Sequence, residues 1–309
     1  MSTLSVIIPT YNPRLESLVR VLAALQAQTL PLPKWELIIV DNASTRFPAI
    51  DLSWHPRARC IREPQLGLTQ ARRCGTAAAT GDILVWVDDD NVLQPDYLAN
   101  ALDFMVSHPE VGAAGGATLG EYVDDIPPWF VEGMAPLGCR DLGDSLQVMI
   151  WNHTYPTAAP IGAGLVIRSK WMQEWIALVN TDPLRQALGR RGNALTSGED
   201  NDICLTILRL GQQLAYSPDL RLTHVIGPGR LSAPYLERIS RVSFRDFIRV
   251  LDLHGLRPWS PIAPWTVWLR AIKAYVQLKA WTGPAARIRW QSAVGCFEGR
   301  ALLKQERLS

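Results

Sequence analysis

Paired cysteines are missing. The 309 residues include five cysteines, Cys60, Cys74, Cys139, Cys204 and Cys296, an odd number with no CxxC spacing. That argues against a disulfide framework or a structural zinc and for a reducing compartment. Long apolar runs are missing too. No stretch of about 18 apolar residues is free of charge, so no transmembrane helix is predicted. MSTLSVIIPT at the N-terminus has neither a basic leader nor a small-residue cleavage site, and no signal peptide is expected there. Charge is sparse, at 19% against 48% hydrophobic residues, which excludes a disordered or collagen-like chain. Internal repeats and low-complexity runs are lacking.

The net charge of +2 hides an asymmetry. Residues 256–309 hold nine Lys/Arg against two Asp/Glu, whereas the first 255 residues hold 22 against 27. Five of the twelve tryptophans (Trp259, Trp265, Trp268, Trp281 and Trp290) also lie after Arg257. A basic tail on an acidic body points to an anionic partner, a membrane surface or a nucleic acid. No nucleic-acid motif accompanies it, so no nucleic-acid partner is expected.

Strand and helix signals alternate in the first hundred residues. LSVIIP (4–9), ELIIVD (36–41), residues 59–62 and DILVWVD (82–88) read as strands. Residues 13–28, 68–80 and 95–108 read as helices, the first through Leu15, Leu18, Val19, Leu22 and Leu25. This alternation predicts βαβ units and a parallel sheet. Residues 112–160 are rich in Gly, Pro and Trp with weak periodicity, and a loop of that length is usually functional. GAGLVIRSKW (162–171) restores regularity. A helix over 198–212 and a short strand over 220–224 follow. Over 264–281, Trp265, Trp268, Leu269, Ile272, Tyr275 and Val276 form one stripe and Thr266, Arg270, Lys273 and Gln277 the other, an amphipathic helix with a partly basic face.

Asp88-Asp89-Asp90-Asn91 is the sharpest chemical signal. Adjacent carboxylates repel one another, so the cluster reads as a divalent-cation site, or as an acidic turn before the helix at Pro95. In an extended segment Asp88 and Asp90 point one way and Asp89 the other. Asp41 ends the second strand, where open α/β sheets bind ligands. It is either part of a capping turn or an acceptor for the N–H of a uracil, thymine or guanine base, with Thr10, Tyr11 and Asn12 flanking. Of Arg72 and Arg73, one is a surface charge and the other a phosphate or base clamp. Glu199 and Asp200 suit a helix N-terminus or supply a general base. His224, at a strand end, is a structural histidine or a metal ligand.

Taken in order, SVIIPTYN, VDNAST, LGLTQARRCGTAAATGDILVWVDDDN, GAGLVIRSKW, SGEDNDICLTILRLG and His224 resemble the family-2 glycosyltransferases over residues 2–230. The resemblance implies an α/β GT-A fold, a single Rossmann-like nucleotide-binding sheet with flanking helices and a C-terminal helical extension. It implies a domain over 1–227, with a nucleotide-sugar half (1–111) and an acceptor half (112–227), and a basic, Trp-rich extension over 228–309. The implied activity is inverting transfer from a nucleotide-diphosphate sugar, a UDP-sugar first, to a glycan or lipid-linked acceptor, with Mn²⁺ or Mg²⁺. Pro9, Thr10, Tyr11, Asn12, Asp41, Arg72, Asp88 and Asp89 would bind the donor. Asp90 would ligate the metal, with Asp88 nearer the ribose and His224 as a further ligand. Asp200 matches the base and Glu199 is the fallback. Arg73 stands where the family usually has asparagine. A cytoplasmic protein is expected, peripheral at the inner membrane face through its C-terminal helices. The alternatives are a nucleotidyltransferase on a similar fold and a catalytically silent sugar-nucleotide or glycan binder. Against the first, PTYN replaces the Gly-rich phosphate loop. Against the second, both acidic clusters are present.

Overall fold

The computed structural model describes residues 3–192 and 194–303. Its contacts divide into two units. One comprises Met1–Glu121, Gly138–Gly192 and Glu199–Val225, the other Tyr122–Leu137, Asn193–Gly198 and Ile226–Ser309.

The first unit is built on an eight-stranded sheet. Strands β1 (Leu4–Thr10), β2 (Trp35–Asn42), β3 (Ala58–Glu63) and β4 (Ile83–Trp86) run parallel in the order β3-β2-β1-β4. β1, β2 and β4 are buried along their whole length, which is why they read as unbroken apolar runs instead of alternating ones. Beyond β4 the order continues β9-β6-β10-β8. Here the sheet is mixed: β9 (Leu165–Arg168) runs antiparallel to both β4 and β6 (Val111–Gly115), and β8 (Gln147–Met149) antiparallel to β10 (Gln213–Tyr216). So part of the segment read as an irregular loop supplies strands, too short and too Gly- and Ala-rich to announce themselves. A smaller sheet, β5-β11-β7, joins β5 (Asn91–Leu93), β11 (Leu222–Ile226) and β7 (Thr118–Tyr122).

Helices α1 (Leu15–Gln26), α2 (Leu68–Ala78), α3 (Tyr97–Ser107), α4 (Ser169–Thr181), a single turn α5 (Pro183–Gln186) and α6 (Glu199–Arg209) connect the strands. α1 is turned from the expected stripe: Ser17, Leu18, Val21, Leu22 and Leu25 are buried, while Leu15 and Val19 are exposed. A five-residue apolar count cannot fix the helix rotation when two neighbouring faces both hold Leu and Val. α2 lies close to the sheet because Gly75 has no side chain; a Cβ there would sit 2.6 Å from Ile7 Cγ2.

One buried polar cluster anchors the amino ends of these strands. Glu36 accepts hydrogen bonds from Ser5 Oγ (2.6 Å), Thr80 N (2.6 Å) and Oγ1 (2.7 Å), and Arg59 Nη1 (2.7 Å). Burial pushes its pKa up, but these bonds outweigh burial and hold it at about 2. The ionised carboxylate therefore stabilises the fold above the unfolded-chain value of about 4.3. That contribution is lost as pH falls toward 2. Glu36→Ala is expected to lose about 3 kcal/mol at pH 7 in urea unfolding, with the deficit shrinking below pH ~4.

The second unit is helical. It contains α7 (Ala233–Leu253), α8 (Val267–Gln277), preceded by a 3-10 turn at Pro264–Thr266, and α9 (Pro284–Leu302). Pro264 and Pro284 stand at the starts of the 3-10 turn and α9, where a missing N–H and a fixed φ cost nothing. Trp290 Nε1 donates to Ala271 O (2.9 Å) and its ring meets Tyr275 edge-on, which pins α8 to α9.

Candidate active site

The carboxyl ends of β1, β2 and β4 share one edge of the sheet. Thr10 stands in register with Asp41, and Asp88 follows β4 by two residues. Pro9 and Thr10 are buried; Tyr11 and Asn12 are exposed beyond them. Asn12 takes a positive φ of 48°, which its short polar side chain tolerates, and its Oδ1 accepts from Thr45 N and Oγ1 at 3.0 Å. Asp41 is buried, with Oδ1 accepting from Ser44 N (3.0 Å) and Oδ2 from Arg62 Nη1 (2.8 Å). Arg62 is a site neighbour that the motifs did not flag. The parallel pairing of β2 and β3 sets it opposite Asp41.

Asp88, Asp89 and Asp90 form a turn, not the extended segment the sequence predicts. Asn91 closes it, with its N–H donating to Asp88 O (3.0 Å) and its Oδ1 accepting from Asp88 N (3.3 Å). Asp89 accepts a hydrogen bond from Thr10 Oγ1, tying the turn to β1. Desolvation and the neighbouring Asp90 charge raise the Asp88 pKa against the pull of Arg72, His224 and Arg190. Asp90 Oδ1 lies 3.4 Å from His224 Nε2. The contact follows from the small sheet, where Asn91 pairs with His224. Burial opposes protonation of His224, but Asp90 and Cys139 outweigh it and raise its pKa to about 10. Cys139, inside the segment without periodicity, had no sequence signal.

The second acidic cluster opens α6, and its three carboxylates have different fates. Asp202 is fully buried, accepting from Trp175 Nε1 (2.7 Å) and Arg185 Nη1. Glu199, 3% exposed, forms an ion pair with Arg72 Nε at 3.3 Å. Asp200 is half-buried, its Oδ2 accepting from Gly162 N (3.0 Å) and its Oδ1 from Asn201 N (2.9 Å). Arg72 is 2% exposed and lies over the Trp86 ring at 5.1 Å. A Cβ on Gly162 would stand 3.2 Å from Arg72 Nη2 and 3.8 Å from Asp200 Oδ2, so both groups approach the same point of the backbone. Arg73 bonds Gln70 on the helix (2.9 Å) and is the outer member of the pair.

Burial raises the Glu199 pKa to about 7; Arg72 pulls it down and Asp200 pushes it up. A carboxyl whose folded pKa exceeds its unfolded value stabilises the fold at low pH and ceases to as pH rises through the folded value. The wild-type chain is therefore expected to lose stability relative to Glu199→Gln between pH ~4 and ~7, read as the difference in urea midpoints.

Among the described residues, no three His, Cys, Asp or Glu side chains converge as a ready-made metal centre. Asp88, Asp90 and His224 still fit Mn²⁺ or Mg²⁺ chemically. Such ions take one or two protein carboxylates and complete their shell with water and substrate phosphates, so a full protein cage is not required.

The family model described as Glycosyl transferase family group 2 matches residues 83–272, more than half of the chain, and that described as Glycosyl transferase family 2 matches residues 5–134. The chain belongs to glycosyltransferase family 2. A glucosyl-dolichyl phosphate glucuronosyltransferase of Haloferax volcanii is 23% identical over 256 residues, 81% of this chain and 77% of its own length. An N-acetylglucosaminyltransferase of Mesorhizobium japonicum is 25% identical over 81% of this chain and 58% of its own length. A solved structure of S. aureus TarS 1–349 in complex with UDP-GlcNAc aligns with 96% of this chain and 89% of that one, at 14% identity and a TM-score of 0.49. This family-2 glycosyltransferase has the mixed α/β fold with C-terminal helices that the resemblance implied. No helix among its described residues is long and apolar enough to cross a membrane.

Proposed function

We propose that this glycosyltransferase moves a sugar from a UDP-sugar to a hydroxyl of a glycan or lipid-linked acceptor, with inversion, by single displacement, and with Asp200 as base. The observation that carries the reading is the division of labour in the α6 cluster. Glu199 and Asp202 are spent on buried cations, while Asp200 is half-buried and oriented by two backbone N–H groups. As the acceptor oxygen bonds to the anomeric carbon, the bond from that carbon to the diphosphate oxygen breaks. Asp200 takes the acceptor proton, a contribution of about 10²–10⁴ in rate.

Thr10, Tyr11, Asn12 and Asp41 form the nucleoside end of this reading, with Pro9 fixing the strand that leads to them. Both Asp41 oxygens already accept one bond each. Each oxygen keeps a further acceptor site, enough for the imide N–H of uracil. Asp88, Asp90 and His224 would hold Mn²⁺ or Mg²⁺, which when bound neutralises charge on the leaving diphosphate. Asp89 holds the turn against Thr10. Arg72 stands between the two clusters, where its charge opposes the rise that burial causes in the pKa of both Asp88 and Glu199. The Haloferax relative's name describes a lipid-phosphate-linked sugar as acceptor, which supports a lipid-linked acceptor here. In this reading the protein works at the cytoplasmic face of a membrane.

The test is incubation with a panel of UDP-, GDP- and dTDP-sugars, Mn²⁺ and a lipid-phosphate-linked sugar. Release of UDP and an inverted anomeric proton coupling in the product support the reading. Release of a nucleoside monophosphate, or a retained configuration, contradicts it.

A further inference from the structure

Most of the apolar stripe of α8 is left exposed beside the helix that packs against it. Ala274 is buried, and the α8 side bearing Ala271 and Tyr275 meets Trp290 of α9. Trp268, Leu269, Ile272 and Val276 lie beside it, within about 100° of arc at 100° per residue, and Trp265 stands in the 3-10 turn that precedes α8. They are 44–69% exposed. Trp281, just beyond α8, is 56% exposed. Four large apolar side chains on one open helix face, with Trp265 and Trp281 in the turns at its ends, form a patch unlike the isolated exposed leucines of an ordinary surface.

The charge around the patch has one sign. Residues 258–297 contain no Asp or Glu and five basic residues, Arg270, Lys273, Lys279, Arg287 and Arg289. Arg270, Lys273 and Lys279 are exposed along α8 and its end. The acidic residues that flank this run are neutralised: Asp252 pairs with Arg257 (2.5 Å), Glu237 with Arg287 (2.7 Å), and Glu298 with Arg241. An apolar face rich in Trp, edged by Lys and Arg with no acidic residue, is the pattern of a helix lying in the plane of a membrane interface. The indole rings sit at the headgroup level while the basic edge meets lipid phosphates.

We infer that α8 and its flanking turns dock this glycosyltransferase onto an anionic lipid bilayer, with Trp265, Trp268, Leu269, Ile272 and Val276 inserted in the interface and Arg270, Lys273 and Lys279 against the headgroups. The inference extends the membrane placement proposed for the enzyme. It is read without donor or acceptor, so its failure and that of the transferase reading are separable.

The experiment is vesicle flotation of the full chain with phosphatidylcholine alone and with about 30% phosphatidylglycerol added. Binding to the anionic vesicles should be at least about tenfold tighter, with a blue shift of tryptophan emission, and should weaken with salt. Trp268→Ser/Ile272→Ser and Arg270→Glu/Lys273→Glu should each weaken it at least about tenfold. Val19→Ser, an exposed apolar residue of α1, should leave it unchanged. Because the substituted side chains are exposed, circular dichroism melts of all variants should match wild type. Absence of binding to anionic vesicles, equal binding to neutral ones, or wild-type binding by the Trp268→Ser/Ile272→Ser variant overturns the inference. So does a dimer in light scattering that Ile272→Ser dissociates while vesicles remain unbound, since a second copy would then cover the face.

Discussion

Asp200→Asn is expected to lower kcat by about 10²–10⁴ while the donor Kd changes less than about threefold. Asn keeps the size of the side chain and one acceptor oxygen but takes no proton from an acceptor hydroxyl. Asp200 accepts from Gly162 N and Asn201 N, and Asn can satisfy only one of these. The loss of one such bond costs about 1–2 kcal/mol in stability, too little to unfold the chain. Glu199→Gln is the matched control. Glu199 sits against buried Arg72, so its neutralisation alters stability and its pH dependence more than turnover. Stopped turnover in Asp200→Asn with UDP binding intact supports Asp200 as base. If Glu199→Gln loses turnover and Asp200→Asn keeps it, the roles are reversed.

Asp90→Ala is expected to abolish metal-dependent donor binding, with UDP affinity in Mn²⁺ falling by at least about 10²-fold. Asp90 lies at the meeting of the β4 turn and β11, with Asn91 Nδ2 and His224 Nε2 both at its Oδ1. Removing it deletes the carboxylate that pairs with the buried His224 imidazole. Asp89→Asn separates ligation from loop order. Asp89 receives the Thr10 hydroxyl hydrogen bond, and Asn still accepts it, so UDP affinity in Mn²⁺ should fall less than about tenfold. Calorimetric titration of UDP on the three proteins distinguishes the cases. Equal affinity of wild type and Asp90→Ala in Mn²⁺ would remove Asp90 from the metal reading.

Much of the first unit is legible in the sequence because β1, β2 and β4 are buried on both faces and appear as continuous Leu, Ile and Val runs. The polar residues that follow them mark the carboxyl edge of the sheet, and that edge is where the structure places Thr10, Asp41 and Asp88. Long-range pairing is not legible. Asp90 and His224 meet because β5 and β11 pair, strands of three and five residues with no periodic signal of their own. The burial of Arg72 against Glu199 depends on α2 and α6 converging, so the sequence could name a clamping arginine without saying what it clamps. The α8 stripe is clear in the periodicity, yet amphipathicity does not state which face packs. There the small and aromatic residues Ala271, Ala274 and Tyr275 face α9, and the larger apolar side chains are left in solvent.

The most direct measurement is calorimetric titration of UDP into the wild-type chain with Mn²⁺ and, separately, with EDTA. A family-2 glycosyltransferase whose donor site lies at Asp41, Asp88, Asp90 and His224 binds UDP with Mn²⁺ and loses that binding in EDTA. Binding that EDTA leaves untouched, or no binding with Mn²⁺ present, would contradict it.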